Sequence, residues 1–385
     1  MAITNNPERE ALLRRGMREE GLDACLAWFP EDLVMLAGTW PCLAMNLCLY
    51  PAEGQPIYYL SAVEPDDVCP EGFLKRRFAI EGGRWTELRR LLRDDIARLG
   101  LSAIGVATDG GQHAVPAFSG ESPQFGPEAI ALILEGIGTL PATPFFMKAG
   151  LIKTKSELEL IRRANSVAAV GLKVFHDELR PGRSEAEIAA LVEAAIQSHS
   201  GRDGSRLARA WAHVQAGPNI TLGGTYSRSS AYRLVEGDLA LIELGTCVDG
   251  YWSDLTRTSS VGRVGERQRS LLSAVKGAQA AAISAVRPGA THEEVDRAAR
   301  DHLERLGFGE GFTHGTGHHV GFRYHDRGPG LQKGSTEALA EGMIITVEPG
   351  SYGVLYEAGA RFEDDVLVGA GGAVVLSPRE LSWSE

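Results

Sequence analysis

Cysteine is scarce in this 385-residue chain: Cys25, Cys42, Cys48, Cys69 and Cys247 include no C-x-x-C pair. An odd, scattered set does not build a disulfide framework, and it points to a reducing compartment. Basic charge is short as well, with 39 Lys plus Arg against 50 Asp plus Glu and a net charge of −11. Phosphate binding needs a local positive excess, so nucleic acid is excluded as a main partner. The amino terminus, MAITNNPEREALLRRG, carries charges where a signal peptide would need leucines. One uncharged run, Leu33–Tyr50, reaches the lower length limit of a membrane helix. Gly38, Pro41 and Asn46 interrupt it, so it reads as two buried strands around a turn. Together these absences predict a soluble, cytoplasmic protein with no membrane partner. There is also no G-x-S-x-G elbow, no P-loop and no G-x-G-x-x-G fingerprint.

What is present is ordinary globular composition, 44% hydrophobic and 23% charged, in a chain long enough for two or three domains. The first part alternates. Residues 7–20 have helical spacing, Ala24–Phe29 and Ile57–Leu60 look like strands, Arg84–Leu99 is amphipathic, and Ala103–Ala107 is a further strand. That is an α/β domain. The pattern weakens from Gly110 to Pro144, and a long helix begins near Lys155, so the boundary falls at about 148, with domains 1–148 and 149–385.

The second domain repeats itself. Arg180-Pro181-Gly182-Arg183-Ser184-Glu185-Ala186-Glu187 returns as Arg287-Pro288-Gly289-Ala290-Thr291-His292-Glu293-Glu294, each time between two helical patterns. Gly182 and Gly289 suit the left-handed turn that closes a helix, and Ser184 with Glu187 and Thr291 with Glu294 fit capping boxes that open the next. Strand-like segments follow each helix pair: Leu239–Glu243 and Tyr251–Thr258, then Met343–Glu348 and Ala360–Val368. Two α-plus-β halves about a pseudo-twofold axis, strands central, are expected.

Acidic residues and histidines collect on those strands. Asp249-Gly250 is a hairpin turn. A hairpin centred near Val248 and Asp249 sets Glu243 opposite Asp254, with β-carbons roughly 4.5–5.5 Å apart, where like charges repel unless a cation intervenes. On these two residues alone, solvent exposure of one of them or neutralisation by Arg257 is an equal reading. His314-Gly315-Thr316-Gly317-His318-His319 then packs three imidazoles into a glycine-rich stretch, with His325 beyond. The His spacing matches H-E-x-x-H, but the Glu is missing and two glycines oppose a helix, so a loop or strand is expected. Glu348 ends an apolar strand, and period-two alternation puts Arg361, Glu363 and Asp365 on one face of another. Four carboxylates and one imidazole, with no thiolate, suit a pair of divalent cations, Mn²⁺ first and Co²⁺, Fe²⁺ or Zn²⁺ as alternatives. Two such ions about 3.5–4 Å apart can bridge a water, lower its pKa towards neutrality and hold it as hydroxide against a carbonyl carbon.

At these residues the sequence resembles the pita-bread metallopeptidase family, and within it the proline-specific branch that carries a creatinase-type amino-terminal domain. Asp254-Leu255-Thr256-Arg257-Thr258, His314–His318, Glu348-Pro349-Gly350 and Arg361-Phe362-Glu363-Asp364 carry the likeness. Gly21-Leu22-Asp23-Ala24, Leu33–Gly38 and the linker-like Gly150–Ala164 extend it over nearly the whole chain. The resemblance implies a creatinase-like α/β domain followed by an α+β pita-bread domain. It implies a peptidase that cleaves the bond before proline, in dipeptides or at the amino end of longer peptides, acting as a homodimer on small peptides.

By position, Glu243, Asp254, His318, Glu348 and Glu363 are the implied metal ligands. Asp254 and Glu363 would bridge both ions, and Glu348 would also take the proton from the water. His325 would steady the oxyanion, Arg361 would orient ligands, and His314, Tyr226 and His213 are implied on the substrate side. The sequence departs from the family pattern twice. The first ligand is usually Asp in D-x-G and is Glu243 here, one methylene longer, so the first metal site is expected to be altered or loaded only with substrate present. A histidine usually found about seventeen residues earlier is replaced by Tyr226. A metal-independent C–N hydrolase of creatinase type and a non-catalytic peptide-binding module are the alternative readings.

Overall fold

The computed structural model describes residues 6–40, 46–80, 85–108, 127–222, 229–353 and 357–378. The chain divides into two compact units, Met1–Gly150 and Leu151–Glu385.

In the first unit, α1 (Pro7–Glu19) opens with Pro7 at a position that has no amide to satisfy, while the Asn6 side chain accepts from the Arg9 amide. Leu13 and Met17, four residues apart, bury one face. There follow β1 (Ala24–Ala27), α2 (Pro30–Ala37), β2 (Leu47–Pro51), β3 (Ile57–Ser61), β4 (Leu74–Phe78), α3 (Thr86–Leu99), β5 (Ile104–Val106), α4 (Pro127–Leu134), β6 (Thr139–Pro141) and α5 (Thr143–Leu151). The strands make one six-stranded mixed sheet in the order β4-β3-β2-β1-β5-β6. The uncharged run Leu33–Tyr50 does not form two strands around a turn. Its first part is the helix α2, started by Pro30 and stopped at Gly38, and only its last part is a strand, β2. A fully buried helix and a fully buried strand are both continuous apolar runs, so periodicity could not separate them.

The second unit is built from two similar halves. The first holds α6 (Lys155–Glu178), α7 (Glu185–Gln197), β7 (Ala208–Ala216), β8 (Leu239–Val248) and β9 (Tyr251–Ser260); the second holds α8 (Glu266–Ala285), α9 (His292–Arg305), β10 (Ile344–Val347), β11 (Gly350–Gly353), β12 (Ala358–Arg361), β13 (Asp364–Gly369) and β14 (Gly372–Val375). Sheets β7-β8-β9, β10-β13-β14 and β11-β12 are antiparallel throughout. The expected repeat is present in detail. The Glu187 amide bonds to Ser184 Oγ (3.2 Å) and Glu187 Oε2 answers the Ser184 amide (2.9 Å); Thr291 and Glu294 do the same at 3.1 and 2.8 Å. Gly182 and Gly289 take φ of 90° and 85°, a conformation costly for residues with a β-carbon. Their amides reach equivalent carbonyls, Leu234 and Leu339, both at 2.8 Å. Each helix pair covers its own core, one around Leu172, Phe175, Ile188 and Ile242, the other around Leu271, Val275, Val295 and Ile345.

Two strand details differ from expectation. In the β8–β9 hairpin Val248 faces Tyr251, so Asp249 and Gly250, with φ of 53° and 93°, form the whole two-residue loop. The centre therefore lies between Asp249 and Gly250, which pairs Glu243 with Thr256 and Asp254 with Gly245. Glu243 and Asp254 are diagonal neighbours on one face rather than directly opposed. The segment Ala360–Val368 is not one strand. It breaks at Phe362 and Glu363 as the chain changes partner from β11 to β10, and the Glu363 amide bonds instead to the Thr256 carbonyl of β9 (3.1 Å). Among the described residues no helix is long and apolar enough to cross a membrane.

Removing either cap hydroxyl, Ser184→Ala or Thr291→Ala, should lower stability by about 0.5–2 kcal/mol, read as a shift of urea unfolding to lower concentration. An unshifted curve for both variants would mean the boxes contribute nothing.

Candidate metal centre

Four segments of the second unit converge: β9 with Asp254, the glycine-rich stretch with His318, the end of β10 with Glu348, and the break between β12 and β13 with Glu363. The stretch around His318 is extended and lies against β10. The Thr346 amide donates to the His318 carbonyl (2.7 Å), the His318 amide to Thr346 Oγ1 (3.0 Å), and the Glu348 amide to the Thr316 carbonyl (2.7 Å). A β-carbon on Gly317 would stand 2.0 Å from the Thr346 carbonyl oxygen, so only glycine permits this approach. The zinc-protease helix is thereby excluded, as its glycines predicted.

The His318 ring is held by its Nδ1, which donates to the His319 carbonyl at 2.9 Å. In the neutral ring that leaves Nε2 as a bare lone pair. It faces Asp254 Oδ2 at 3.4 Å and Glu348 Oε1 at 3.5 Å and has no donor within hydrogen-bond reach. Asp254 Oδ1 and Glu363 Oε1 are likewise buried and unbonded. A lone pair aimed at carboxylates, beside two orphaned carboxylate oxygens, is costly in a low-dielectric interior unless a cation sits among them. His318, Glu348 and Glu363 offer ligand atoms within 4.8 Å of one another, and so do Asp254, His318 and His325. The donors therefore fit a divalent metal, and an oxygen-rich, thiolate-free set suits a hard or borderline ion.

The carboxyl groups record the same crowding. Burial pushes Asp254 well above the carboxylate range, with the charges of Glu243, Glu348 and Asp365 adding to it, and burial and Asp254 do likewise to Glu363. Burial raises Glu348 less, because the Arg361 guanidinium opposes it. Asp365, buried and accepting from Asn165 Nδ2 (2.8 Å) and the Asp254 amide (3.3 Å), is pushed up to about 7 by desolvation.

Glu243 stands apart from both ligand groups. Its Oε1 accepts from the Tyr324 hydroxyl and its Oε2 from Arg361 Nη2. Burial pushes this carboxyl up, but Arg361 and Tyr324 outweigh it and hold the group below the usual range. Arg257 does not neutralise Glu243 and Asp254; it pairs with Asp364 at 2.7 Å. Arg361 also donates from Nε to Thr256 Oγ1 (3.1 Å) and from Nη1 to the Tyr352 hydroxyl (2.9 Å). Tyr352 lies 3.1 Å from His314 Nε2, so His314 joins this chain rather than the ligand groups, and burial takes its pKa down to about 4. His325 sits with its ring 3.7 Å from that of His318 and stacks on Tyr324 at 4.7 Å. His213, on β7, pairs with Glu243 of β8 and lies against Trp211, its pKa lowered by burial. Tyr226 falls outside the described residues.

Sequence reasoning passed over Tyr324, Tyr352, Thr256 and Asn165, and it named His213 without the strand, β7, that carries it. Tyr324 adjoins His325 and Thr256 lies in the D-L-T-R-T motif, but nothing in spacing says that either side chain turns towards a carboxylate. Thr256 Oγ1 donates to Glu363 Oε2 (2.7 Å) and so fixes it.

Helix pairs flanking central strands that carry an Asp/His/Glu cluster define a pita-bread metal-binding protein. The model of metallopeptidase family M24 matches residues 159–370, and the chain belongs to that family. The Xaa-Pro dipeptidase of Pyrococcus furiosus is 36% identical over 235 residues, 60% of this chain and 64% of that protein. The probable dipeptidase PepE of Mycobacterium tuberculosis is 35% identical over 254 residues, 65% of each. These alignments thus span just under two thirds of the relatives' own length. The solved prolidase from Pyrococcus horikoshii superposes with a TM-score of 0.77 at 25% identity, covering 97% of this chain and 99% of that one. The Xaa-Pro dipeptidase from Bacillus anthracis shares the fold, with a TM-score of 0.80 at 24% identity over 97% and 98%.

The shifted carboxyl groups set a pH dependence. With metal removed by chelation, Asp254, Glu363 and Asp365 keep protons in the fold that the unfolded chain has lost by about pH 4–5. Above about pH 7.5 the histidines of the unfolded chain have also lost their protons, so a further rise to about pH 8.5 strips the raised carboxyl groups of the folded form alone and stability falls. The midpoint of thermal unfolding of the chelated protein should drop across this window, and the gain on adding Mn²⁺ should grow. A flat or rising midpoint would contradict the crowding.

Proposed function

We propose that this chain is a metal-dependent peptidase that hydrolyses the peptide bond before proline, in Xaa-Pro dipeptides or at the amino end of X-Pro peptides. The observation that carries the reading is the bare His318 Nε2 pointing at Asp254 and Glu348 beside Glu363, in a chain of metallopeptidase family M24. The names of the dipeptidase and prolidase relatives supply the substrate class.

Asp254, His318, Glu348 and Glu363, joined by Glu243, are the residues that would hold two divalent ions, with Mn²⁺ favoured by the oxygen-rich donors. When bound, the ions supply Lewis acidity towards the scissile carbonyl and acidify the attacking water. The protein's own groups do the rest. Glu348, partly open at 16% side-chain exposure and with its pKa raised by burial, is placed to accept the proton of the attacking water and return it to the leaving amine. His325, flat against Tyr324 and beside His318, is the donor available to the developing oxyanion. Thr256 holds Glu363 in place from behind, and Arg361 pairs with Glu243. His314, its pKa lowered to about 4 by burial, stays neutral at working pH and is assigned with His213 to the substrate side.

We also place the enzyme in the cytoplasm as a homodimer. Cys25, Cys48, Cys69 and Cys247 are all free thiols, which suits a reducing compartment, and the dimer follows from the family resemblance. Light scattering should return twice the chain mass; a single chain mass would remove the dimer.

Purified protein loaded with Mn²⁺ should hydrolyse a panel of Xaa-Pro dipeptides or X-Pro-X peptides and lose activity on chelation. Glu348→Gln should lower kcat by about 10²–10⁴-fold. Inactivity on the whole panel would reject the substrate class, and activity indifferent to chelator would favour a C–N hydrolase of creatinase type.

A further inference from the structure

Glu243 differs from the other acidic residues of the centre in how its oxygens are spent. Asp254 and Glu363 each keep a buried oxygen unbonded, whereas both oxygens of Glu243 are bonded to protein donors, Tyr324 on one side and Arg361 on the other. It belongs to neither group of ligand atoms within 4.8 Å.

The two donors are fixed. The Tyr324 ring is fully buried, edge-on to Trp211 at 5.4 Å, near Trp252 at 6.1 Å and stacked on His325. Gly245 makes the space, since a β-carbon there would come 2.7 Å from Tyr324 Cε2. Arg361 is anchored by Thr256 and Tyr352. The register puts Glu243 two positions along β8 from Gly245, on the same face, so its carboxylate lies within reach of the hydroxyl at the end of that ring. Aspartate has one methylene fewer, so at this position it would hold its carboxylate nearer the strand.

We propose that Tyr324 and Arg361 clamp Glu243 away from the metal centre, so that a second divalent ion enters only when Glu243 lets go of Tyr324. This rests on reading the centre as a divalent metal site. The first ion then binds at Asp254, His318, Glu348 and Glu363, and Tyr324 is a positioning residue that sets the affinity of the second. Breaking the clamp costs one charge-assisted hydrogen bond in a buried setting, enough to weaken binding of the second ion by at least about tenfold.

The test is Mn²⁺ binding to the full-length chelated protein, measured by calorimetry and by electron paramagnetic resonance, which separates isolated Mn²⁺ from exchange-coupled pairs without recourse to activity. In the wild-type protein one ion should bind tightly and a second at least tenfold more weakly. Tyr324→Phe keeps the ring and removes the hydroxyl; it should tighten the second ion by about tenfold and bring the coupled-pair signal up at lower Mn²⁺. Glu243→Asp should do the same by loss of reach, and it carries the measurement if Tyr324→Phe does not fold. Equal tight binding of two ions by the wild-type protein, or a second affinity unmoved in the variants, overturns the clamp while leaving the metal centre standing. No Mn²⁺ bound by the wild-type protein, matching a Glu363→Gln control, overturns the metal reading and the clamp together.

Discussion

The second unit is organised around a repulsion. Asp254, Glu348 and Glu363 gather about a histidine nitrogen that has nothing to accept from, in a place where water does not screen them. Bringing such groups together costs several kcal/mol per unpaired ion, and folding by itself has no way to recover it. The surrounding structure tolerates the arrangement because each group is gripped from behind: His318 by its neighbour's carbonyl, Glu363 by Thr256, the Asp254 backbone by Asp365, and Asp365 by Asn165. The rigid cradle leaves a divalent cation as the natural occupant.

The duplicated architecture explains why such a cradle can be built. Each half has a capped helix pair that shields one side of a short antiparallel sheet, so each half can aim carboxylates away from its own core, and the second half adds the His318 imidazole. The matching ties from Gly182 to Leu234 and from Gly289 to Leu339 set both helix pairs at equivalent positions on their strands. Arg361, at the end of β12, links the halves chemically, reaching Thr256 and Glu243 of the first half and Tyr352 of the second. One guanidinium thereby organises groups from β8, β9 and β11.

Much of this could be read before any coordinates. Capping boxes and R-P-G turns are local chemistry, so Ser184, Glu187, Thr291 and Glu294 declare their role in four residues. Glycines in H-G-T-G-H speak against a helix by propensity alone, and the structure adds why Gly317 is needed, the close carbonyl of Thr346. Errors arose where a small displacement had large consequences. Placing the hairpin centre one residue early made Glu243 and Asp254 face each other, since register moves in steps that pattern does not resolve without the turn geometry. Treating Ala360–Val368 as a single strand assigned Arg361, Glu363 and Asp365 to one face, whereas the partner change at Glu363 delivers them to the centre from two sheets.

The residue types available for chemistry, the starts and stops of the helices and the existence of two similar halves are legible along the chain, because they follow from propensity, capping and periodicity over short stretches. Tertiary structure alone decided that Glu243 turns to Tyr324 and Arg361 instead of joining the other carboxylates. It also decided that His314 serves Tyr352 and that Arg257 serves Asp364. A side chain with several partners in reach is committed by distances between segments tens to hundreds of residues apart, and those distances are set by packing, not by neighbours along the chain.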